Sequence, residues 1–214
     1  MSVVGKRIVV TGAGRGIGAG LAAFLRGRGA TVVTTDITPD AVDVGCDVSD
    51  PEQVDALFAL AGAVDGLVNS AALLVGRRRY DEIPLDEWDR MFAVNVRGSY
   101  LCARAAVAAM AGRGGAIVNI ASETAFTGSH GFAHYVASKG AVVSLTRALA
   151  NEVGSLNVRV NCVAPGFTPT PGSSVLGDYD PTRTPLGRVM RPEDLFGTMA
   201  YLLSDDAAFV SGQH

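Results

Sequence analysis

RIVVTGAGRGIGAGLAAFLRGRGATVVTTD, residues 7–36, decides the fold. RIVVTG (7–12) is a short apolar run of strand type. IGAGLAAFLRGRG (17–29) follows, with Ile17, Leu21 and Leu25 four apart on one helical face. TVVTTD (31–36) is strand-like again. Between the first strand and the helix, TGAGRGIG (11–18) places Gly12, Gly16 and Gly18 where the backbone must turn sharply and approach a ligand closely. The helix that opens there offers N–H groups without partners, a seat for a pyrophosphate. Asp36 ends the second strand about twenty residues on, where a carboxylate can accept hydrogen bonds from an adenosine ribose. A glycine turn alone, or an acid alone, could be a bare βα turn and a solvated side chain. Together, in a strand–turn–helix setting, they point to a dinucleotide.

The alternation continues outward. AVDVGCDV (41–48) holds a third short strand, and PEQVDALFALAG (51–62) is a helix entered through Pro51 after Ser49 and Asp50. DGLVNSA (65–71) is the fourth strand; residues 85–112 form one long helix, or two, ending at Gly112. GGAIVNIAS (114–122) is strand five, HYVASKGAVVSLTRALANEVG (134–154) a long helix closed by Gly154, NVRVNCVAPG (157–166) strand six, and PEDLFGTMAYLLSD (192–205) the last helix. Apolar strands with helices between them imply a parallel sheet covered on both faces. The expected architecture is a doubly wound α/β fold of Rossmann type, one dinucleotide-binding and catalytic domain over 1–214. FTPTPGSSVLGDYDPTRTPLGR (167–188) is the one long loop, expected to be a mobile substrate lid.

Composition narrows the function. Of 214 residues, 48% are hydrophobic and 18% charged, which suits a compact core, and the net charge of −3 offers no basic face for nucleic acid. No apolar run approaches the ~20 residues of a membrane span. The N-terminal MSVVGKRIVVTGAG is broken at Gly5, Lys6 and Arg7 and carries no targeting pattern, so the expected location is the cytoplasm. Cys46, Cys102 and Cys162 lie far apart without a CxxC and read as core residues. His130 and His134 have no partner pattern for a metal, and none is expected.

HYVASKGA (134–141) sets Tyr135 one helical turn before Lys139. Such a pair is ordinarily a surface feature, but its context is specific. The spacing T-G-x-x-x-G-I-G, with Thr11, Gly12, Gly16, Ile17 and Gly18, resembles the cofactor turn of the short-chain dehydrogenase/reductase family. Asp47–Val48 resembles that family's adenine-contacting position, and VNSAA (68–72), with Asn69 and Ala71, its N-N-A-G segment. Asn95 in VNVRG, Ser122 in IAS, and Tyr135 and Lys139 in YVASK match the catalytic positions. Pro165 and Gly166, with Thr168 and Thr170 just after, resemble the segment that meets the nicotinamide side.

The resemblance implies hydride transfer between NAD(H) and a secondary alcohol or ketone. Tyr135 would be the acid/base, its pKa brought towards the working pH by cationic Lys139. Lys139 would also bond the nicotinamide ribose, Ser122 the substrate oxygen, and Asn95 a water linking Lys139 to solvent. A homotetramer, or a dimer, is implied too. The rival is a catalytically silent NAD(P)-binding sensor or scaffold of the same fold. Cofactor choice sets Arg15, which could meet a 2′-phosphate, against Asp36, which repels one; the carboxylate is expected to prevail, making NAD the cofactor and NADP the weaker one. Arg77, Arg78 and Arg79 are either a solvated basic turn or an anion-attracting gate. Phe126, Phe132, Phe167 and Val175 hint at an apolar, cyclic substrate. Ser70 and Ala72 depart from the family pattern. The family continues past a G-Q pair into a final strand, whereas SGQH (211–214) ends here; the expectation is a truncation or an omitted tail, with an exposed sheet edge.

Overall fold

The computed structural model describes residues 2–173, 180 and 184–214. Six strands, β1 (Arg7–Thr11), β2 (Thr31–Asp36), β3 (Val44–Gly45), β4 (Gly66–Asn69), β5 (Gly115–Ile120) and β6 (Val158–Val163), form one sheet in the order β3-β2-β1-β4-β5-β6. Every pairing is parallel. The chain runs outward from β1 in one direction, then returns to β4 and runs outward in the other. The crevice between the carboxyl ends of β1 and β4 is therefore the topological switch point, the place where such sheets bind ligands.

Successive strand residues feed opposite faces. Ile8 and Val10 of β1, with Val118 of β5, pack beneath α1 (Gly16–Gly27) and α7 (Glu193–Leu203) through Leu21, Leu25, Phe196 and Met199. Val9, Leu67 and Ile117 face the other way, against α2 (Pro51–Ala61), α4 (Ser99–Ala109) and α6 (Ala133–Val153). The Asp50 carboxylate caps α2 by accepting from the amides of Glu52 and Gln53, with Pro51 at the first helical position.

Two expectations change. The run read as one or two helices over 85–112 is α3 (Leu85–Phe92), a π-helical stretch (Ala93–Gly98) and α4, which ends at Ala109. Gly98 there lies against Val48, close enough that a Cβ would sit 2.7 Å from a Val48 methyl, so the helix is threaded tightly past the end of β3. A one-turn helix, α5 (Thr124–Thr127), follows β5. The edge expected to be bare at β6 is partly covered: Gly212 N–H donates to the Val160 carbonyl at 2.7 Å, and Cys162 N–H to the Gln213 carbonyl at 2.9 Å.

Candidate active site

A cleft of about 770 Å³ runs across the carboxyl ends of the strands. The glycine turn forms one wall. Gly12, at φ +64°, passes so close to β4 that a Cβ would lie 2.6 Å from the backbone of Ala71. Gly18 lies against the Gly12 carbonyl, where no side chain fits; this lets α1 start directly behind the turn and aim its free first-turn amides at the cleft. Thr11 locks the turn to the end of β4, its hydroxyl oxygen accepting from the amides of Ser70 and Ala71 at 3.1 Å each. Gly12, Arg15, Gly16, Ile17 and Ala71 all line the cleft.

Asp36 marks one end. Its carboxylate accepts from Gly14 N–H and Thr38 N–H, each at 3.1 Å, and is held at the tip of β2 facing the cleft. Exposed Arg15 stands beside it, with no ion pair among the described residues. Asp47 and Val48 line the same end, with Arg90, which the sequence reading missed. Arg90 donates to Asp47 at 2.9 Å and to the Ser49 hydroxyl at 3.4 Å, and that hydroxyl donates in turn to Asp47 at 2.7 Å. Burial raises the Asp47 pKa, but the Ser49 and Arg90 bonds outweigh it and the carboxyl stays below its ordinary value. Arg90 lies 43 residues from Asp47 on α3, and no local pattern marks it.

Ser122, Tyr135 and Lys139 converge at the other end. Ser122, just past β5, hydrogen-bonds the Tyr135 phenol and accepts from the Thr124 hydroxyl at 3.0 Å. Lys139 is buried and donates to the Ile120 carbonyl at 2.8 Å; its Nζ is 5.7 Å from the Tyr135 ring centroid. The electrostatics correct one expectation. Burial pushes the Tyr135 phenol up to about 12, with the Ser122 bond offsetting part of the rise. Burial also brings Lys139 down to about 8. The protein's own groups thus keep the phenol protonated at neutral pH and do not draw it towards phenolate.

Three further site expectations are revised. Asn95 does not line the cleft: its Oδ1 accepts from Leu73 N–H at 2.7 Å, and its Nδ2 donates to the Leu73 carbonyl at 3.2 Å and to Ser138 Oγ at 3.0 Å. The amide anchors the segment after β4 to α6 beside Lys139, with both its ends engaged. Asn69 is buried beneath the cleft, donating to the Ser99 carbonyl and the Asn119 side chain. Gly18 acts through the turn and not by facing the cleft. Pro165, Gly166, Thr168 and Thr170 do line it, and Thr170 folds back over Gly16, whose Cβ would sit 3.4 Å from Thr170 Cβ.

The three arginines divide. Arg78 pairs with Glu87 and Arg79 with Asp81, whereas Arg77 lines the cleft, stacked 4.4 Å from the Phe132 ring centroid and donating to the Ser129 hydroxyl and the His130 carbonyl. Phe132 and Phe167 line the cleft; exposed Phe126 does not, and stacks on His214 instead. Val175 lies outside the described residues. Neither His130 nor His134 lines the cleft; His134 is buried, its Nε2 3.3 Å from Glu87.

A family model described as Enoyl-(Acyl carrier protein) reductase matches residues 12–214. The chain belongs to the short-chain dehydrogenase/reductase family. Meso-2,3-butanediol dehydrogenase of Serratia marcescens is 36% identical over 97% of this chain and 90% of that protein. The crystal structure of 3-ketoacyl-(acyl-carrier-protein) reductase from Brucella melitensis, complexed with NADH, superposes with a TM-score of 0.92 at 33% identity, over 99% of this chain and 96% of that one. A Beutenbergia cavernae family structure with bound NADP also reaches 0.92, at 36% identity over 99% and 94% of the two chains. Family membership makes the chain an NAD(P)-dependent oxidoreductase of this type.

Proposed function

We propose that this short-chain dehydrogenase transfers hydride between NAD(H) and a secondary alcohol or ketone, with Tyr135 as acid/base. The observation that carries the reading is the convergence of Ser122, Tyr135 and Lys139 on one end of the cleft whose other end holds the glycine turn and Asp36. The residues suit the cofactor: first-turn amides of α1 and the Cβ-free approach at Gly12 would take the pyrophosphate, Asp36 the adenosine ribose, Asp47 and Val48 the adenine side. Lys139, Pro165, Gly166, Thr168 and Thr170 would flank the nicotinamide half. Bound there, the nicotinamide supplies the hydride acceptor or donor. Ser122 Oγ bonds the substrate oxygen and steadies its developing charge. The Tyr135 phenol, protonated at neutral pH, delivers its proton in the reductive direction, and its phenolate form accepts the alcohol proton in the oxidative one. NAD is preferred because Asp36 is fixed by two backbone amides, while Arg15 is exposed and makes no ion pair among the described residues.

The proposal extends to a cytoplasmic homo-oligomer, tetramer or dimer, acting on a small alcohol or ketone as one catalytic domain. The three cysteines are buried and unpaired, and Phe92, Val96, Tyr100 and Leu145 form an apolar strip on the outer face of α3, α4 and α6. Among the described residues no helix is long and apolar enough to cross a membrane. The test mixes the protein with NAD and a panel of secondary alcohols and follows reduced nicotinamide. Turnover by wild type and its loss in Tyr135→Phe support the reading. Cofactor binding without turnover, in either direction, replaces it with the silent sensor.

A further inference from the structure

Helix α6 carries Tyr135 in its first turn, yet the common fixings of a helix start are missing there. Phe132, the residue before that turn, makes no side-chain capping bond, and the turn holds no acidic side chain. The entry is held instead by the segment after β4. Arg77 Nη1 donates to the Ser129 hydroxyl at 3.2 Å and to the His130 carbonyl, and its guanidinium lies over the Phe132 ring, 4.4 Å from the centroid. Arg78 N–H donates to the Gly131 carbonyl at 3.0 Å. Gly131, at φ +75°, packs so closely that a Cβ would sit 3.0 Å from Arg77 Cβ. The Arg78 side chain donates to both Glu87 oxygens, at 2.9 and 3.1 Å, and Glu87 in turn lies 3.3 Å from Nε2 of buried His134. Phe132 then meets Tyr135 directly, with ring centroids 5.9 Å apart and planes tilted by 58°.

We propose that Arg77 is a positioning residue for hydride transfer: by gripping residues 129–132 it fixes the Phe132 ring, and through that ring the Tyr135 phenol, against the cleft. The inference rests on the dehydrogenase reading for the part Tyr135 plays. The grip is planar as well as charged, since a guanidinium can cover an aromatic face while its N–H groups bond acceptors at the rim. An anion-attracting gate would need the same guanidinium free. Here one face is covered by Phe132, and Nη1 is taken by Ser129 and His130. Arg77 is exposed, and exposed charged contacts add little to global stability. Its effect is therefore local: a phenol shifted by a fraction of an ångström loses rate while the fold persists.

The test compares wild type with Arg77→Met, which keeps an aliphatic stem, and with Arg79→Met as control. The assay is NAD-linked oxidation of secondary butanol, or of the fastest uncharged alcohol in the panel, on which an anion gate has no hold. In Arg77→Met kcat should fall about tenfold or more, with the NAD Kd from calorimetry and the Tm close to wild type. Arg79→Met should change none of these. Phe132→Leu should lower kcat by a similar factor, and the double variant no further than the worse single one, because both cut one path. Amide hydrogen exchange in the NAD-bound protein reads the clamp apart from turnover: in Arg77→Met it should quicken over 130–137 and stay unchanged over 140–153. Unchanged kcat or unchanged exchange in Arg77→Met, or losses that multiply in the double variant, overturn the assignment. Quicker exchange in a protein whose wild type oxidises no alcohol of the panel upholds the clamp and overturns the dehydrogenase reading alone.

Discussion

Lys139 Nζ donates to the Ile120 carbonyl at 2.8 Å, while the Tyr135 ring centroid lies 5.7 Å away. The buried ammonium is thus tied to the end of β5, and burial lowers its pKa to about 8. Lysine in an unfolded chain titrates near ~10.4. Between those values the unfolded chain keeps a proton that the folded one has lost, so stability attributable to Lys139 rises with pH across that window. Below it, the folded cation costs on the order of 3 kcal/mol.

Lys139→Met should remove that cost and leave the Ile120 carbonyl unpaired at about 1–2 kcal/mol. The net expectation at pH 7, without cofactor, is a Tm higher by about 2–4 °C, with activity lost. The advantage should shrink as pH approaches about 10. Cys46, whose thiol burial raises to about 11, titrates in both proteins and cancels in the difference. A variant no more stable than wild type at pH 7 would sink the idea that this lysine is kept against the fold's own preference.

Tyr135→Phe should cut turnover at least ~100-fold and leave NAD affinity nearly intact, because the ring still packs 5.9 Å from Phe132 and only the ionisable oxygen goes. In the protein alone the phenol should titrate at about 12, read from phenolate absorbance, and lower with NAD bound, since a positive nicotinamide favours phenolate. Oxidation should accelerate as pH rises and reduction should not. A chemistry-limited oxidation rate that stays flat from about pH 6 to about pH 10 counts against Tyr135 as the base.

Asp36→Ala tests cofactor choice. The wild-type kcat/KM should favour NAD over NADP at least ~10-fold, because a carboxylate held by two amides cannot swing away from a 2′-phosphate. Without it, Arg15 is left to meet the phosphate, and the preference should narrow or reverse. Equal values in wild type would refute the assignment.

Asn95→Ala separates scaffold from relay. The substitution strips partners from the Leu73 amide and carbonyl and from Ser138, and each orphaned buried group costs about 1–3 kcal/mol. Stability should fall by about 2–4 kcal/mol in denaturant melts, together with kcat. Unchanged stability with a lower kcat would return Asn95 to the relay.

The glycine turn, Asp36 and the Tyr135–Lys139 step were legible because each depends on short spacings along one or two elements. The strand alternation was legible for the same reason, since strands covered on both faces read as apolar runs. Arg90 and the role of Arg77 were not. Arg90 meets Asp47 only because α3 packs beside the end of β3, and Arg77 gains meaning from Phe132, at the entry of a different element. Asn69 and Asn95 lie next to cleft-lining residues in sequence, but their amides turn inward to satisfy buried backbone groups, which motif position does not encode. The π-helical stretch at Ala93–Gly98 escaped notice because its residues fit an α-helix equally well.

The junction of β1 with β4 pairs Ile8 with Gly66, the longest sequence interval between any two neighbouring strands of this sheet. Closing it demands the greatest loop entropy of the six-stranded assembly, and non-local pairings of this kind form slowly. The two halves, β1 to β3 and β4 to β6, can each gather their shorter-range partners first. The groove at the seam therefore exists only once the halves dock. A dinucleotide laid across it would act as a brace between them, slowing unfolding far more than it speeds folding.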